Sequence, residues 1–238
     1  MSGFSWKVQA LSALSEPDAP RVFNREELSA FLDQKNCCPE PRTLLRGLRE
    51  WEKMGLAERV TRGVYLNKRA IPMPLPYEAV ARMREGAVLS LHAVLGQAGV
   101  LNNPTHWVTV VVPTTSTKGP TEMELDNGHF VKMAYMQPDF LPSSDQVWFK
   151  DALDPYSHAP TATPEKALMD WLYLAQSARG GDRWALPATH DLDLSLLDEN
   201  RLNRLAAIMG LEKNWQELKE ACESEMPRVQ LSRRRPGM

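Results

Sequence analysis

The stretch that decides the fold is PRTLLRGLREWEKMGLAERVTRGVYL, residues 41–66. Its first half places Leu44, Leu48 and Trp51 at i, i+4 and i+7, so one face of a helix is apolar. Gly55 ends that helix. A short alternating segment, a Thr-Arg-Gly turn and a return segment follow at once. We therefore predict a helix followed directly by a tight β-hairpin.

A second face of this helix is cationic, and the hairpin after it adds two further arginines. A basic helix before a basic-tipped hairpin is typical of a winged helix-turn-helix, in which the helix enters the major groove and the hairpin touches the flanking backbone. The predicted DNA-binding residues are Arg42, Thr43, Arg46, Arg49, Lys53, Arg59 and Arg62. The alternative is an amphipathic surface helix whose charges are solvated.

Within that set, Arg46 and Arg62 are expected to have different roles. Arg46 lies in the middle of the cationic stripe, where a helix in the major groove approaches base edges most closely. Arg62 lies at the hairpin tip and is expected to contact only the sugar-phosphate backbone. We interpret Gly47 as a residue that allows close approach to the duplex, at a cost in helix stability.

Two earlier helices complete the predicted module. In residues 4–14, Phe4, Val8 and Leu11, with Leu14 at the end, lie on one helical face and predict an amphipathic helix. Asn24 and, three positions later, Glu27 form a capping-box pattern that begins the next helix. A turn rich in cysteine and proline then leads into the basic helix.

Charge is segregated along the 238 residues, although the whole chain carries a net charge of only -2. Residues 1–70 hold 12 basic and 9 acidic side chains, net +3, and residues 71–225 hold 12 and 21, net -9. Residues 226–238 hold four arginines and no acid. The hydrophobic content of 43% is sufficient for a real core and excludes a disordered chain. We interpret Arg233–Arg235 as part of a solvated tail, with contact to DNA phosphates or a partner as the alternative.

A proline-rich segment, residues 71–76, divides the chain. Three alternating prolines hold this segment extended and block a continuous helix, so we predict a linker. The predicted fold class is α+β. Residues 1–70 form a winged helix-turn-helix DNA-binding domain, and residues 77–238 form a larger mixed α/β domain.

Hydrophobic periodicity and turn signals outline the second domain. Asn127-Gly128 is a strong hairpin turn, and Thr163-Pro164 is a strong helix start. Helices are predicted at residues 77–84, 87–98, 197–209, 212–224 and from residue 163, strands at residues 106–112 and 146–150, and a hairpin within residues 122–136. In the helix from residue 163, Leu168, Trp171 and Leu172 are expected to face the core. We interpret its charged residues Glu165, Lys166 and Asp170 as facing solvent, with partner contact as the alternative.

The sequence carries no pattern that predicts catalysis. No nucleophile elbow, phosphate-binding loop or dinucleotide fingerprint is present. Glu122, Glu124 and Lys132 lack the spacing of a nuclease site. The five histidines are scattered without metal-ligand spacing, at His92, His106, His129, His158 and His190. We therefore predict no enzyme activity, no catalytic residue, no metal and no cofactor.

Location is predicted from three features. No 18-residue apolar run is present, so no membrane span is expected. The first residues lack the pattern of a signal peptide. Three cysteines, two of them adjacent, do not make a disulfide framework and favour a reducing compartment. A cytoplasmic protein is the expectation.

Three segments, taken together, resemble a known family. They are the Gly-Val-Tyr-Leu hairpin return at residues 63–66, GAVLSLHAVLGQAGVL at residues 86–101 and ATPEKALMDWLYL at residues 162–174. In order and spacing they resemble the AbiEi-type antitoxins of type IV abortive-infection toxin–antitoxin systems, which act in phage defence. The third segment is the most distinctive, because it matches a P-E-K-A-L-x-D helix. The resemblance covers residues 20–175.

The resemblance implies two activities. The winged domain would bind double-stranded promoter DNA and repress its own operon, and the second domain would neutralise a cognate nucleotidyltransferase-like toxin. One alternative is a winged-helix transcriptional regulator whose second domain senses a small ligand. Another is a nuclease or nucleotide-transferring enzyme with an appended DNA-binding module, which the absence of catalytic motifs disfavours. The residues alone do not separate the antitoxin from the ligand sensor.

Overall fold

The structure is a computed structural model that describes residues 5–84, 86–103, 107–113, 122–136, 159–176 and 184–225. It contains helices and strands in both halves of the chain, so the fold class is α+β as predicted. The predicted strand at residues 146–150 and the Arg233–Arg235 tail lie outside the described residues. No helix within the described part is long and apolar enough to cross a membrane.

The N-terminal module consists of three helices and a small sheet. Its elements are α1 Trp6–Ala13, β1 Val22–Phe23, α2 Arg25–Gln34, α3 Pro41–Lys53, β2 Ala57–Thr61 and β3 Val64–Asn67. The strands pair antiparallel in the order β1-β3-β2. The helices and hairpin on which the winged helix-turn-helix prediction rests are therefore present in the predicted order.

Local sequence signals set the ends of these elements. The predicted capping box is formed, because the Glu27 backbone N–H donates to Asn24 Oδ1 at 2.8 Å and the Asn24 N–H donates to Glu27 Oε2 at 3.1 Å. Pro41 occupies the first position of α3, where its missing N–H costs no hydrogen bond. Gly63 adopts φ +83° in the hairpin turn, a conformation that residues with a side chain rarely adopt.

The predicted face of α1 is confirmed only in part. Leu14 is buried and Leu11 packs against the same core, whereas Val8 is 51% exposed; Phe4 lies outside the described residues. A further apolar contact of this helix comes from Trp6, whose ring lies 5.7 Å from that of Trp51 on α3. The small buried residues Ala10 and Ala13 let α1 pack closely against the module, and Trp6 supplies its large aromatic contact.

Gly47 has a different role from the one predicted. It is buried in the middle of α3, and a Cβ atom at this position would lie 2.5 Å from the outer ring of Trp6. The missing side chain therefore admits the Trp6 indole against α3. Gly47 serves internal packing and not close approach to a duplex.

The second module is a mixed sheet covered by helices. Its elements are α4 Pro76–Met83, β4 Val88–Leu89, α5 His92–Gln97, β5 Trp107–Pro113, β6 Glu122–Glu124, β7 Phe130–Met136, α6 Pro164–Gln176, α7 Glu199–Met209 and α8 Glu212–Glu225. The sheet order is β4-β5-β7-β6, in which β5 and β7 are parallel and the other two pairs are antiparallel. Helix α6 packs against α5, α7 and α8.

Most predicted elements of this module are confirmed. Helices α4, α6, α7 and α8, strand β5 and the hairpin around Asn127-Gly128 lie where the sequence places them. The continuous helix over residues 87–98 is wrong. Val88 and Leu89 pair with β5 as a short strand, and Leu91 has φ +60°, so helical backbone begins only at His92. Tertiary pairing with β5 overrides the local helical periodicity here.

The sheet of the N-terminal module contributes to two hydrophobic cores. Successive residues of a strand point to opposite faces. Phe23 packs with the N-terminal helices, while Val22, Val60 and Leu66 pack into the core of the second module. The small sheet is therefore a layer between both halves of the chain.

Helix α6 is the central helix of the second module. Trp171 is 1% exposed, and its Nε1–H donates to the carbonyl oxygens of Trp184 and Ala185 at 3.1 and 3.2 Å. Leu168 and Leu172 are buried beside it. The predicted core face of this helix is confirmed.

Trp171→Ala is expected to lower the free energy of unfolding by roughly 3–5 kcal/mol, the usual scale for emptying a core aromatic site. Urea unfolding followed by circular dichroism measures the change. Ile208→Ala is the control, because Ile208 is 61% exposed and a surface truncation should change stability by about 0.5 kcal/mol or less. Equal effects of the two substitutions would contradict a core role for Trp171.

Candidate nucleic-acid interface

Helix α3 has one buried and one cationic face. Leu44, Leu48 and Trp51 are each 1% exposed. The opposite stripe of Arg42, Thr43, Arg46, Arg49 and Lys53 is exposed along its whole length. The predicted amphipathic pattern is thus confirmed, and the inner face anchors the helix so that the cations are presented on a fixed scaffold.

The β2–β3 hairpin and α3 enclose a groove of about 460 Å³. The N-terminus of α2 closes its third side. Four arginines from these three elements line it, namely Arg25, Arg49, Arg59 and Arg62. Leu45, Leu48 and Tyr65 form its apolar part, and Glu26 is a lining carboxylate. The structure thus places Arg25 beside Arg49, Arg59 and Arg62 of the predicted set, because only the tertiary fold brings the start of α2 to the hairpin.

Arg25 gave no signal in the sequence. It follows the capping residue of α2 as an isolated cation, outside the stripe of α3. In the structure its guanidinium is paired with Glu26 at 2.7 Å, and both side chains are more than half exposed. A pair this exposed contributes little to stability and leaves the Arg25 cation available to a phosphate.

The remaining predicted cations lie outside the groove along α3. The Arg46 side chain is 80% exposed, and its Nε lies 3.5 Å from Glu50 Oε1. Glu50 is also bound by Lys7, whose hydrogen bond holds the pKa of that carboxyl below its ordinary value. Since its pair with Arg46 is long and exposed, it constrains the Arg46 side chain weakly.

Arg59 is held differently from the other predicted residues. Its Nε lies 2.8 Å from Asp126 Oδ2, in the hairpin turn of the second module. No local pattern predicts this pair, because the two residues are 67 positions apart and meet only through the packing of the two modules.

The charged residues of α6 contradict their solvent-facing interpretation. Glu165, Lys166 and Asp170 are 6%, 2% and 0% exposed. Lys166 Nζ binds Asp170, and Ser90 Oγ donates to Asp170 Oδ2 at 2.7 Å. Because α6 is packed by other helices, even the polar side of this helix is inside. These residues are therefore bound to partners inside the protein and do not form a partner-contacting surface.

Burial and pairing act against each other at this cluster. Burial raises the pKa of Asp170, and the neighbouring Lys166 and Ser90 lower it. Glu165 accepts a hydrogen bond from the Asp198 backbone N–H at 3.1 Å and lies 3.4 Å from the Arg201 guanidinium. The polar residues of α6 thus fix its orientation toward β4 and α7.

His92, the first residue of α5, has a strongly lowered pKa. Its ring lies 3.9 Å from the Trp171 ring, and burial, with a smaller effect of the Lys132 charge, lowers its pKa to about 4. It is therefore neutral at neutral pH. Within the described ranges no three His, Cys, Asp or Glu side chains are grouped to hold a metal ion.

Together these observations define an α+β protein with an exposed cationic surface on a helix and an adjoining hairpin. No protein-family model matches the chain, and no curated protein matches it. Among solved structures it is similar to the crystal structure of the Rv2827c protein from Mycobacterium tuberculosis, with a TM-score of 0.52 and 16% identity. The match covers 92% of this chain and 82% of that one. At this identity the likeness concerns the fold alone.

Stability is expected to depend on pH through His92. Its folded pKa of about 4 lies below the ordinary value of 6.5, so the unfolded chain binds the proton more tightly. The contribution, about 3 kcal/mol, is present above pH 6.5 and is lost as the pH falls through 4. His92→Phe should flatten the dependence of the unfolding free energy between these values, measured by urea titrations.

His190→Gln is the matched control for this measurement. The His190 side chain is 73% exposed, and its replacement should leave the pH dependence as it is in the wild type. A parallel loss of stability in wild type and His92→Phe would show that the proton is taken up elsewhere.

Proposed function

We propose that the protein is a DNA-binding antitoxin that represses its own operon and neutralises a nucleotidyltransferase-like toxin. The observation that carries the DNA-binding part is the exposed cationic stripe of α3 beside the arginine-lined groove of the hairpin. The antitoxin part rests on the resemblance of residues 86–101 and 162–174 to AbiEi-type antitoxins. The proposal assigns no catalytic residue and no cofactor.

A winged helix-turn-helix docking mode fits this surface. An α-helix fits the major groove of B-DNA, and the cationic stripe of α3 faces outward along its whole length. With α3 in the major groove of the DNA, Arg46 approaches base edges. The hairpin then lies over the neighbouring backbone, where Arg62 contacts phosphate. Arg25 and Arg49 line the same groove of the protein as Arg62 and add phosphate contacts.

The second module is proposed to bind the toxin. Its segment, residues 71–225, has a net charge of -9. A protein that handles nucleotides needs cations around its active cleft, so an acidic partner is electrostatically suited to it.

Arg46→Ala and Arg62→Ala are expected to affect DNA binding in different ways. Loss of a base contact should cost about 1–3 kcal/mol and reduce the ratio of operator to random-DNA affinity. Loss of a phosphate contact should weaken all sequences alike and reduce the salt slope by about one. Salt titrations against the region upstream of the gene and a scrambled duplex measure both quantities.

Arg204→Ala is the control for these titrations, since Arg204 is exposed on α7, far along the chain from the cationic surface. It should bind both duplexes like the wild type. If Arg46→Ala and Arg62→Ala also behave like the wild type, the cationic stripe is only a solvated surface and the DNA-binding proposal is wrong.

The antitoxin activity is tested in cells. Co-expression with an adjacent nucleotidyltransferase-like reading frame should restore growth, and Arg46→Ala should restore it equally, because neutralisation is assigned to the second module. Growth is scored after separate induction of the two genes. Absence of rescue by the wild type, together with operator binding that responds to a small ligand, would favour the ligand-sensing regulator.

A further inference from the structure

The hairpin turn of the second module holds three consecutive residues of β2. Asn127 Nδ2 donates to Glu58 Oε1 at 2.6 Å. Arg59 Nε pairs with Asp126 Oδ2 at 2.8 Å, and the Asp126 backbone N–H donates to the Val60 carbonyl at 2.9 Å. This strand belongs to the hairpin that forms one wall of the cationic groove. The second module therefore contacts the proposed DNA-binding surface directly.

The turn that carries Asp126 is closed by its own backbone hydrogen bonds. The Leu125 N–H donates to the His129 carbonyl at 2.8 Å, and the Gly128 N–H donates to the Leu125 carbonyl at 2.9 Å. Gly128 has φ +81° in this turn. The side chain of Leu125 is buried in the core of the second module and anchors the turn there. Its geometry aims the Asp126 carboxylate at β2.

We propose that Asp126 restrains DNA binding by occupying Arg59 in place of a phosphate. The inference rests on the proposed function and concerns the regulation of the same surface. Arg59 lines the groove with Arg25, Arg49 and Arg62, and of these four it is the one paired across the two modules. A carboxylate and a phosphate oxygen accept the same charge-assisted hydrogen bond from a guanidinium.

The strength of the pair suits a reversible restraint. The Arg59 and Asp126 side chains are 43% and 46% exposed, so their attraction is screened and weak. The turn itself remains fixed by the backbone bond to Val60, whose side chain is fully buried in the second core. A phosphate can therefore displace the carboxylate from Arg59 without separating the modules.

This arrangement couples the two activities. A partner that binds the turn and moves Asp126 away releases Arg59. Arg59 can then bind a DNA phosphate, so operator affinity rises. By thermodynamic reciprocity, DNA that has captured Arg59 then favours the partner by the same factor. A partner that clamps the turn against β2 has the opposite effect.

The test uses the full-length Asp126→Asn protein. The substitution is nearly isosteric and keeps the backbone donor to Val60, but it removes the charge that competes for Arg59. We expect affinity for the upstream duplex to rise about two- to fivefold at low salt, the range of an exposed ion pair. The salt slope should stay nearly unchanged, because Arg59 reaches a phosphate in both complexes and only the cost of breaking its pair with Asp126 is removed.

Two further variants separate this contact from a general loss of negative charge. Glu124→Gln removes the same charge from an exposed position on the same hairpin, and it should change the affinity less than Asp126→Asn does. In the Arg59→Gln background, Asp126→Asn should give no gain. A gain that persists without Arg59, an equal gain with Glu124→Gln, or no gain with Asp126→Asn would each overturn the inference.

Heparin chromatography keeps this result distinct from the proposed function. Heparin is a polyanion without base pairs, so the salt concentration for elution should rise in Asp126→Asn and stay unchanged when Arg59 is also replaced. If this pattern holds while the wild type binds no duplex, the restraint on Arg59 stands and the DNA-binding proposal fails. If duplex binding is present and neither assay responds to Asp126→Asn, the restraint fails alone.

Discussion

The three-stranded sheet β1-β3-β2 is the constraint on which the rest of this structure depends. Strand alternation sends Phe23 into the N-terminal core and Val22, Val60 and Leu66 into the core of the second module. Each face of this one sheet therefore covers a separate apolar core. A shift of register by one residue would send each set of side chains into the opposite core, where it does not fit, so each module stabilises the pairing that the other requires. Pro76 of the predicted linker begins α4, and residues 71–75 connect two bodies that are already joined by this sheet.

Buried polar residues set the geometry of the second module. Burial of Lys166 and Asp170 is tolerable only because each neutralises the other and Ser90 donates to the carboxylate. Such a network admits few alternative arrangements. Apolar packing supplies most of the stabilisation, and the network contributes a defined orientation of α6 against β4. Glu165 extends the same effect to α7 through Asp198 and Arg201.

The proposed DNA-binding surface combines strong anchoring with weak, exposed pairing. The inner face of α3 is fully buried, so the helix is held rigidly, whereas its cations have at most long or solvent-screened partners. Side chains that bind DNA phosphates reversibly need to be free of strong internal ion pairs, because such a pair would have to be broken before each phosphate is bound. Arg59 is the residue of this surface that pairs with the second module. Its pairing with Asp126 joins the two proposed activities at a single side chain.

Local sequence determined most of the helices and hairpins, since capping residues, proline at a first helical turn, glycine at turns and apolar periodicity act over a few residues. Helix α3, its stripe and the Asn127-Gly128 hairpin follow from such signals. Tertiary structure alone decided the strand at Val88–Leu89, which pairs with β5, and the burial of Lys166 and Asp170. It also decided the Arg59–Asp126 pair and the packing of Trp6 over Gly47. Burial and ion pairing between distant segments depend on which surfaces meet, and local periodicity carries no information about that.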